Sequence, residues 1–210
     1  MSDAARADDR PTPINPRTPE DFVAMYAATP PWDIDRPQPA LSGLGTELRG
    51  RVLDLGCGTG EHALMAAAMG LDAVGIDPAR LAIEKAEAKA NERGLTVRFV
   101  VGDALDVAFL GQLGPFDTVL DSGVFHIFDD TDRARLVENL AIVMPTGARY
   151  FMLCFSEEQP GDWGPRRVTQ QEIRSSFSDG WSVDSIDPAR LVLTLWPQGV
   201  FAWLASITRI

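Results

Sequence analysis

Val52-Leu-Asp-Leu-Gly-Cys-Gly-Thr-Gly60 is a short apolar run that breaks into three glycines at alternate positions. The run has the length and composition of a buried strand, and the glycines after it predict a tight turn opening a helix, where backbone can approach a ligand closely. The spacing is GxGxG. Where a dinucleotide fingerprint would carry its third glycine, this chain has Glu61, a carboxylate that would repel a pyrophosphate. Asp54, two residues before Gly56, suits instead a ligand with an ammonium group to donate hydrogen bonds. A strand-to-helix turn rich in glycine also has a purely structural reading.

Outward from this stretch the chain alternates short β-branched runs with helical ones, the pattern of parallel strands joined by crossover helices. Strands are expected at 51–55, 73–77, 97–101, 116–121 and 149–155. Ala79, Ala82, Ile83, Ala86 and Ala90 recur at helical spacing, with Gly94 where a left-handed C-cap belongs. A further helix is expected over about 131–143, and another from the capping box Thr169-Gln-Gln-Glu172. Residues 181–195 and 199–209 read as strands of an antiparallel hairpin turning at Trp196-Pro-Gln-Gly199.

Two more strand ends carry carboxylates. Asp77 lies 21 positions after Gly56 at the end of the second strand, where it can accept both hydroxyls of a ribose. With Pro78 after it, Asp77 also suits a helix cap. Gly102-Asp103-Ala104 follows the third strand. Asp103 can accept an exocyclic amine of adenine while the Ala104 N–H donates to a ring nitrogen. Asp54, Asp77 and Asp103 on successive strand ends together describe an amine, a ribose and an adenine.

Residues 51 to about 155 thereby resemble the core of the class I S-adenosylmethionine-dependent methyltransferases, Val52 to Gly60 matching the glycine motif. Asp77 and Gly102-Asp103-Ala104 stand at the ribose and adenine positions. The resemblance implies a Rossmann-like α/β fold: a seven-stranded sheet in order 3-2-1-4-5-7-6, its last strand antiparallel, with helices on both faces. It also implies S-adenosyl-L-methionine as cofactor, held by Trp32, Asp54, Gly56, Cys57, Gly58, Gly60, His62, Asp77, Pro78, Gly102, Asp103, Ala104, Asp121 and Ser122. Pro31-Trp-Asp33 with Pro37 and Pro39, and Asp121-Ser-Gly-Val-Phe-His-Ile-Phe128, are similar to a bacterial small-molecule branch near the thiopurine, thiol and halide methyltransferases. Met144-Pro-Thr-Gly147 departs from the Pro-Gly-Gly turn of many relatives but keeps a flexible glycine.

The sulfonium is already a strong methyl donor, so the protein chiefly has to align the reactants and exclude water. His126 has an intrinsic pKa near 6.5, suited to taking a proton from the acceptor, and is the expected catalytic residue; it also reads as an ordinary loop histidine. Tyr26, Trp32, His126 and Trp163 are expected at the acceptor, with aromatic faces favouring a cation beside an apolar ring. Arg166-Arg167 suits either an acidic acceptor or plain solvation. Two separated histidines supply no metal site.

The chain divides into an arm at 1–17 too polar to pack, a helical lid segment at 18–49 opening on Thr18-Pro-Glu-Asp21 with Phe22, Val23, Met25 and Tyr26, and one methyltransferase domain at 50–210. A formal charge of -11 disfavours nucleic acid and anionic membranes. Two cysteines make no disulfide framework, and the N-terminus has no secretory pattern, so a cytoplasmic monomer or homodimer acting on a small molecule is expected. The rival readings are a nicotinamide-dependent oxidoreductase on a similar sheet and a non-catalytic nucleoside-binding module.

Overall fold

The computed structural model describes residue 21 and residues 24–210. The expected arm at 1–17, the start at Thr18, and Phe22 and Val23 lie outside the described residues. Seven strands form one sheet in the order β3-β2-β1-β4-β5-β7-β6: β1 Arg51–Leu55, β2 Asp72–Asp77, β3 Arg98–Val101, β4 Thr118–Ser122, β5 Arg149–Phe155, β6 Trp181–Leu193 and β7 Trp196–Arg209. The first five are mutually parallel, while β7 runs antiparallel to both β5 and β6. The helices are α1 Pro39–Ser42, α2 Glu61–Ala68, α3 Arg80–Arg93, α4 Val107–Leu113, α5 Asp130–Val143 and α6 Gln170–Ser176. None of the described helices is long and apolar enough to cross a membrane.

Strand parity decides which side chain meets which layer, because successive residues face opposite sides of the sheet. Leu53 and Leu55 of β1 enter a core with Phe116, Leu136, Leu140 and Tyr150, under α4, α5 and α6. Val52 enters the other core, with Leu41, Leu64, Ile83 and Phe151, under α1, α2 and α3. Both faces are therefore covered, which is why the central strands read as apolar runs rather than as alternations. The small-residue face of α3 lets that helix approach closely: Ala82, Ala86 and Ala90 are buried, and Gly94 caps it at φ 63°.

Two expectations change. The hairpin turns at Thr194-Leu195, with Leu193 paired to Trp196, not at 196–199. Pro197-Gln-Gly199 is absorbed instead as an irregularity inside β7, where Gly199 takes φ 73° and the register jumps between Leu191 and Leu193. The sequence reading also missed α4, a short helix capped by the Asp106 carboxylate on the Phe109 N–H.

The segment before β1 crosses the molecule as a strap. Lys85 donates to the Tyr26 carbonyl, the Thr59 hydroxyl donates to Asp33, and Lys89 pairs with Asp35 at 2.9 Å. At its far end Thr194 donates its N–H to the Pro31 carbonyl, and the Gln38 amide bonds both ways with the Val192 backbone. The strap is thus fixed to α3 on one side and to the β6–β7 hairpin on the other.

Gly60, N-cap of α2, adopts φ 86°, and a Cβ there would lie 2.6 Å from the Phe99 ring and 2.8 Å from the Ala86 Cβ. Left-handed strain and overpacking together should make Gly60→Ala about 3 kcal/mol less stable in denaturant melts. A loss below about 1 kcal/mol would show that this close approach is not rigid.

Candidate active site

At the carboxyl edge of the parallel strands lies a cleft of about 1530 Å³, running from the ends of β1, β2 and β3 to the β6–β7 hairpin. Ligands of open α/β sheets bind at this edge, where the strand order reverses. Gly56, Asp77, Pro78, Gly102, Asp103 and Ala104 line one end. Ser122 and His126 line the middle, and Tyr26, Trp32 and Trp163 also face the cleft.

Asp77 is 6% exposed and occupied on both oxygens: one accepts the Gly58 N–H at 2.9 Å, the other the Ala79 N–H at 2.8 Å. The capping role and a place in the cleft therefore coexist, and each oxygen keeps a lone pair for an incoming hydroxyl. Burial pushes this carboxyl up to about 6, against the pull of those two N–H groups. Asp103 is exposed at the rim and accepts the Leu105 N–H. Ile76, Pro78 and Leu105 supply apolar surface between the two carboxylates. Ribose-type hydroxyls, an amine and a flat base all find partners here.

Six residues expected at the cofactor stand behind the cleft wall instead. Asp54 is 1% exposed; its Oδ2 accepts the Ala63 N–H of α2 at 3.0 Å, while its Oδ1 is buried with no hydrogen-bond partner. His62 accepts the Gln38 N–H on Nε2, so its proton sits on Nδ1, 3.8 Å from Asp54 Oδ1. That histidine serves the strap, not cofactor or solvent. Cys57 packs beneath the loop against Gly75. Gly58 is covered by Tyr26, whose hydroxyl a Cβ would approach to 2.7 Å, and Gly60 is closed by Phe99. Asp121 is fully buried and holds the turn after β4, accepting from the N–H groups of Val124 and Phe125 and from the Tyr150 hydroxyl. Of the glycine motif, only Gly56 reaches the cleft.

The structure also removes one sequence argument. Glu61 turns toward α3, where Lys89 at 2.8 Å and both terminal nitrogens of Arg93 neutralise it. No bare carboxylate is left there to repel a pyrophosphate.

His126 corrects the expected catalytic base. The Phe155 N–H donates to Nδ1 at 3.0 Å, so the neutral ring carries its proton on Nε2 and has no lone pair left to take another. Burial, with the nearby Arg133 and Arg167, pushes its pKa down to about 3. The ring can donate a hydrogen bond into the cleft; it cannot act as a base near neutral pH.

An aromatic wall closes the far end. Trp163 stacks on Trp196 with centroids 4.5 Å apart and meets the Phe155 ring edge-on at 5.8 Å. Leu191 and Leu193 continue the surface. The sequence reading named Trp163 but took Trp196 for a turn residue; the apolar alternation Leu191, Leu193 ahead of it was the available signal. At the strap, Trp32 Nε1 donates to the Tyr26 hydroxyl at 3.1 Å, with the rings edge-on.

A family profile described as a methyltransferase domain matches residues 52–147. The chain is 41% identical to 2-heptyl-1-hydroxyquinolin-4(1H)-one methyltransferase of Mycobacteroides abscessus over 172 residues, 80% of this chain and 75% of that protein. A structure solved in work on the conversion of a disulfide bond into a thioacetal group during echinomycin biosynthesis superposes with TM-score 0.81 at 33% identity, covering 91% of this chain and 93% of that one. A SAM-dependent methyltransferase from Anabaena variabilis shares the fold at TM-score 0.73 and 16% identity, over 98% of this chain and all of its own.

The buried carboxyls give the protein a distinct pH response. Burial raises Asp54 to about 8 and Asp77 and Asp121 to about 6. A raised folded pKa means the folded chain holds the proton longer than the unfolded one, so stability is lost as pH rises through the folded value. His62 and His126, pushed down by burial to about 4 and about 3, act in the opposite sense, and only below their unfolded value of about 6.5. Between about pH 6.5 and about 8 Asp54 alone remains, predicting a fall of about 2 kcal/mol. Denaturant melts across that window should show the fall in the native chain and not in Asp54→Asn; an equal fall in both would reassign it.

Proposed function

Because the chain belongs to the class I S-adenosylmethionine-dependent methyltransferases, we propose that it methylates a nitrogen, sulfur or oxygen of a small, flat aromatic or heterocyclic acceptor. The observation that carries this reading is one cleft joining two chemically different ends: the buried carboxylate of Asp77 and the exposed one of Asp103 with apolar surface between them at β1–β3, and the Phe155, Trp163 and Trp196 wall at the hairpin. The first suits a nucleoside, the second a flat ring. The 41% identical relative is named for a hydroxyquinolone, an acceptor of this class.

S-adenosylmethionine would supply, when bound, an electrophilic methyl group with a neutral thioether as the leaving group, open to in-line attack by a lone pair of the acceptor. The chain's own part is positioning and dryness. The free lone pairs of Asp77 would receive the ribose hydroxyls, while Asp103 and the Ala104 N–H would read the adenine edge. Gly56 and Ser122, which line the cleft, would border the methionine portion, with Asp54 and Asp121 holding those loops from behind. Tyr26 and Trp32 bring aromatic faces over the glycine loop, so the strap acts as the lid that excludes water. No side chain is required to supply covalent chemistry.

Two variants test the two ends separately. Asp77→Ala should weaken S-adenosylhomocysteine binding by about 10- to 100-fold in calorimetry, the loss expected for charge-assisted hydrogen bonds; affinity within twofold of native would remove the ribose assignment. Trp163→Ala, assayed with radiolabelled donor on a hydroxyquinolone, should raise the acceptor KM about tenfold while leaving S-adenosylhomocysteine affinity unchanged. Equal loss of both affinities would mean that Trp163 maintains the cleft as a whole.

A further inference from the structure

A methyl acceptor that arrives with its proton needs a base within reach, and the aromatic face built from His126, Phe155, Trp163 and Trp196 contains none. The Phe155 N–H is a backbone amide and always a donor, so His126 Nδ1 stays an acceptor and Nε2 stays an N–H. Protonating that ring would set two N–H groups head to head. From the other elements around it, Ser122 and the raised Tyr26 hydroxyl are no bases near neutrality. Behind the wall, Asp121 is buried under Tyr150, and burial raises the Cys154 thiol beyond use. Asp129, Asp132 and Asp162 line the cleft as well: Asp129 is exposed and caps α5 by accepting the Asp132 N–H, Asp132 is half-buried, and Asp162 is exposed and within electrostatic reach of Arg167. Asp77 belongs to the opposite end.

The same wall holds positive charge. Arg166 is neutralised by Asp130 and Glu172, and Arg133 is tied to Glu172 and to the Phe125 carbonyl. Arg167 differs. Its guanidinium lies over the Phe155 ring at 5.2 Å and near the Trp163 ring at 5.6 Å, and its nitrogens donate to the carbonyls of Gln159, Pro165 and Gly161. Among the described residues no carboxylate pairs with it within 4.0 Å; the charge is held in place by carbonyls and offset only at longer range by Asp162, while burial works against it. It lines the cleft together with His126.

Building on the methyl-transfer reading, we infer that this enzyme takes its acceptor as the conjugate base, with Arg167 and the His126 Nε2–H selecting acidic hydroxy- or N-hydroxy-heteroaromatics and aryl thiols over neutral alcohols. The proton leaves to solvent before binding. A lone pair of the acceptor anion then forms the new bond to the methyl carbon, the electrons of the carbon–sulfur bond stay on sulfur, and no proton moves in the step. His126 and Arg167 are specificity-determining residues here, neither giving nor taking a proton.

The test uses nitrophenols, hydroxyquinolines and plain phenols with acidities spread from about pKa 5 to about 10. With the full-length native enzyme, the inflection of kcat/KM against pH should move with each acceptor's own acidity. In a parallel readout without turnover, the absorbance of a nitrophenol bound beside S-adenosylhomocysteine should show the anion, its pKa lowered by about one unit, a tenfold preference. Arg167→Gln and His126→Phe should each shrink that shift, and Arg167→Lys should keep most of it. One inflection pH shared by all acceptors, or a bound chromophore that stays neutral, would overturn the inference. If no acceptor were methylated the methyl-transfer reading would fall, while the absorbance measurement would still decide the ionisation state.

Discussion

The Asp77 carboxylate fastens two chain reversals to each other. One oxygen takes the Gly58 N–H from the loop after β1, and the other takes the Ala79 N–H at the start of α3. A parallel sheet offers its ligand edge only loops, which have no mutual hydrogen bonding to fix their separation. This pairing supplies that fixation with a buried charge-assisted contact, and the Cys57 N–H to the Ile76 carbonyl at 2.8 Å adds a second tie between the same loops. The floor of the nucleoside end is therefore set by backbone donors on one side chain. Burial lifts that side chain toward neutrality, so a ligand that donates to it restores partners that water no longer provides.

The frame was legible in the sequence because it rests on short-range regularities. Apolar runs, the small-residue face of α3, Gly94 as its cap and the Thr169 capping box each follow from local stereochemistry, and each stands where it was expected. What escaped was tertiary. Asp54 and Asp77 look equivalent along the chain, yet β1 sits centrally with Asp54 facing the layer of α2, whereas Asp77 ends β2 at the open edge. His126 looked like a base because nothing in the sequence tells that the Phe155 amide, 29 residues on, occupies its Nδ1. Pro197 and Gly199 carried turn chemistry that the hairpin spent on a bulge, since the pairing of Leu193 with Trp196 had already closed the chain.

Charge is organised by depth. The surface is strongly acidic, but the carboxylates inside are handled in two ways. Glu61 is neutralised by Lys89 and Arg93, and Lys89 extends that pairing to Asp35 on the strap. Asp121 is served by two N–H groups and the Tyr150 hydroxyl, and Asp54 by the Ala63 N–H on one oxygen with the other left unpaired, so burial raises both. The paired group closes the lid against the body; the unpaired groups shape loops. What sets Arg167 apart is its place: in a protein this acidic, a guanidinium held at the aromatic wall and only partly offset by Asp162 attracts an anion that the surrounding surface repels.

The two ends of the cleft differ in what builds them, and their evolvability differs accordingly. Backbone groups and the two carboxylates Asp77 and Asp103 form the proposed nucleoside end, so few substitutions there preserve the geometry. Long side chains on the hairpin and on the loop after β5 form the acceptor end, where Trp163, Trp196, Leu191 and Leu193 can be resized without moving a strand. Gln38 joins the halves: its N–H reaches His62 on α2, and its amide grips Val192 in the hairpin. A change at the wall large enough to shift β6 would thus reach the glycine loop through the strap, whereas a change in side-chain shape alone would not. Acceptor choice can therefore drift on a fixed cofactor site as long as the Val192 backbone keeps its register with Gln38.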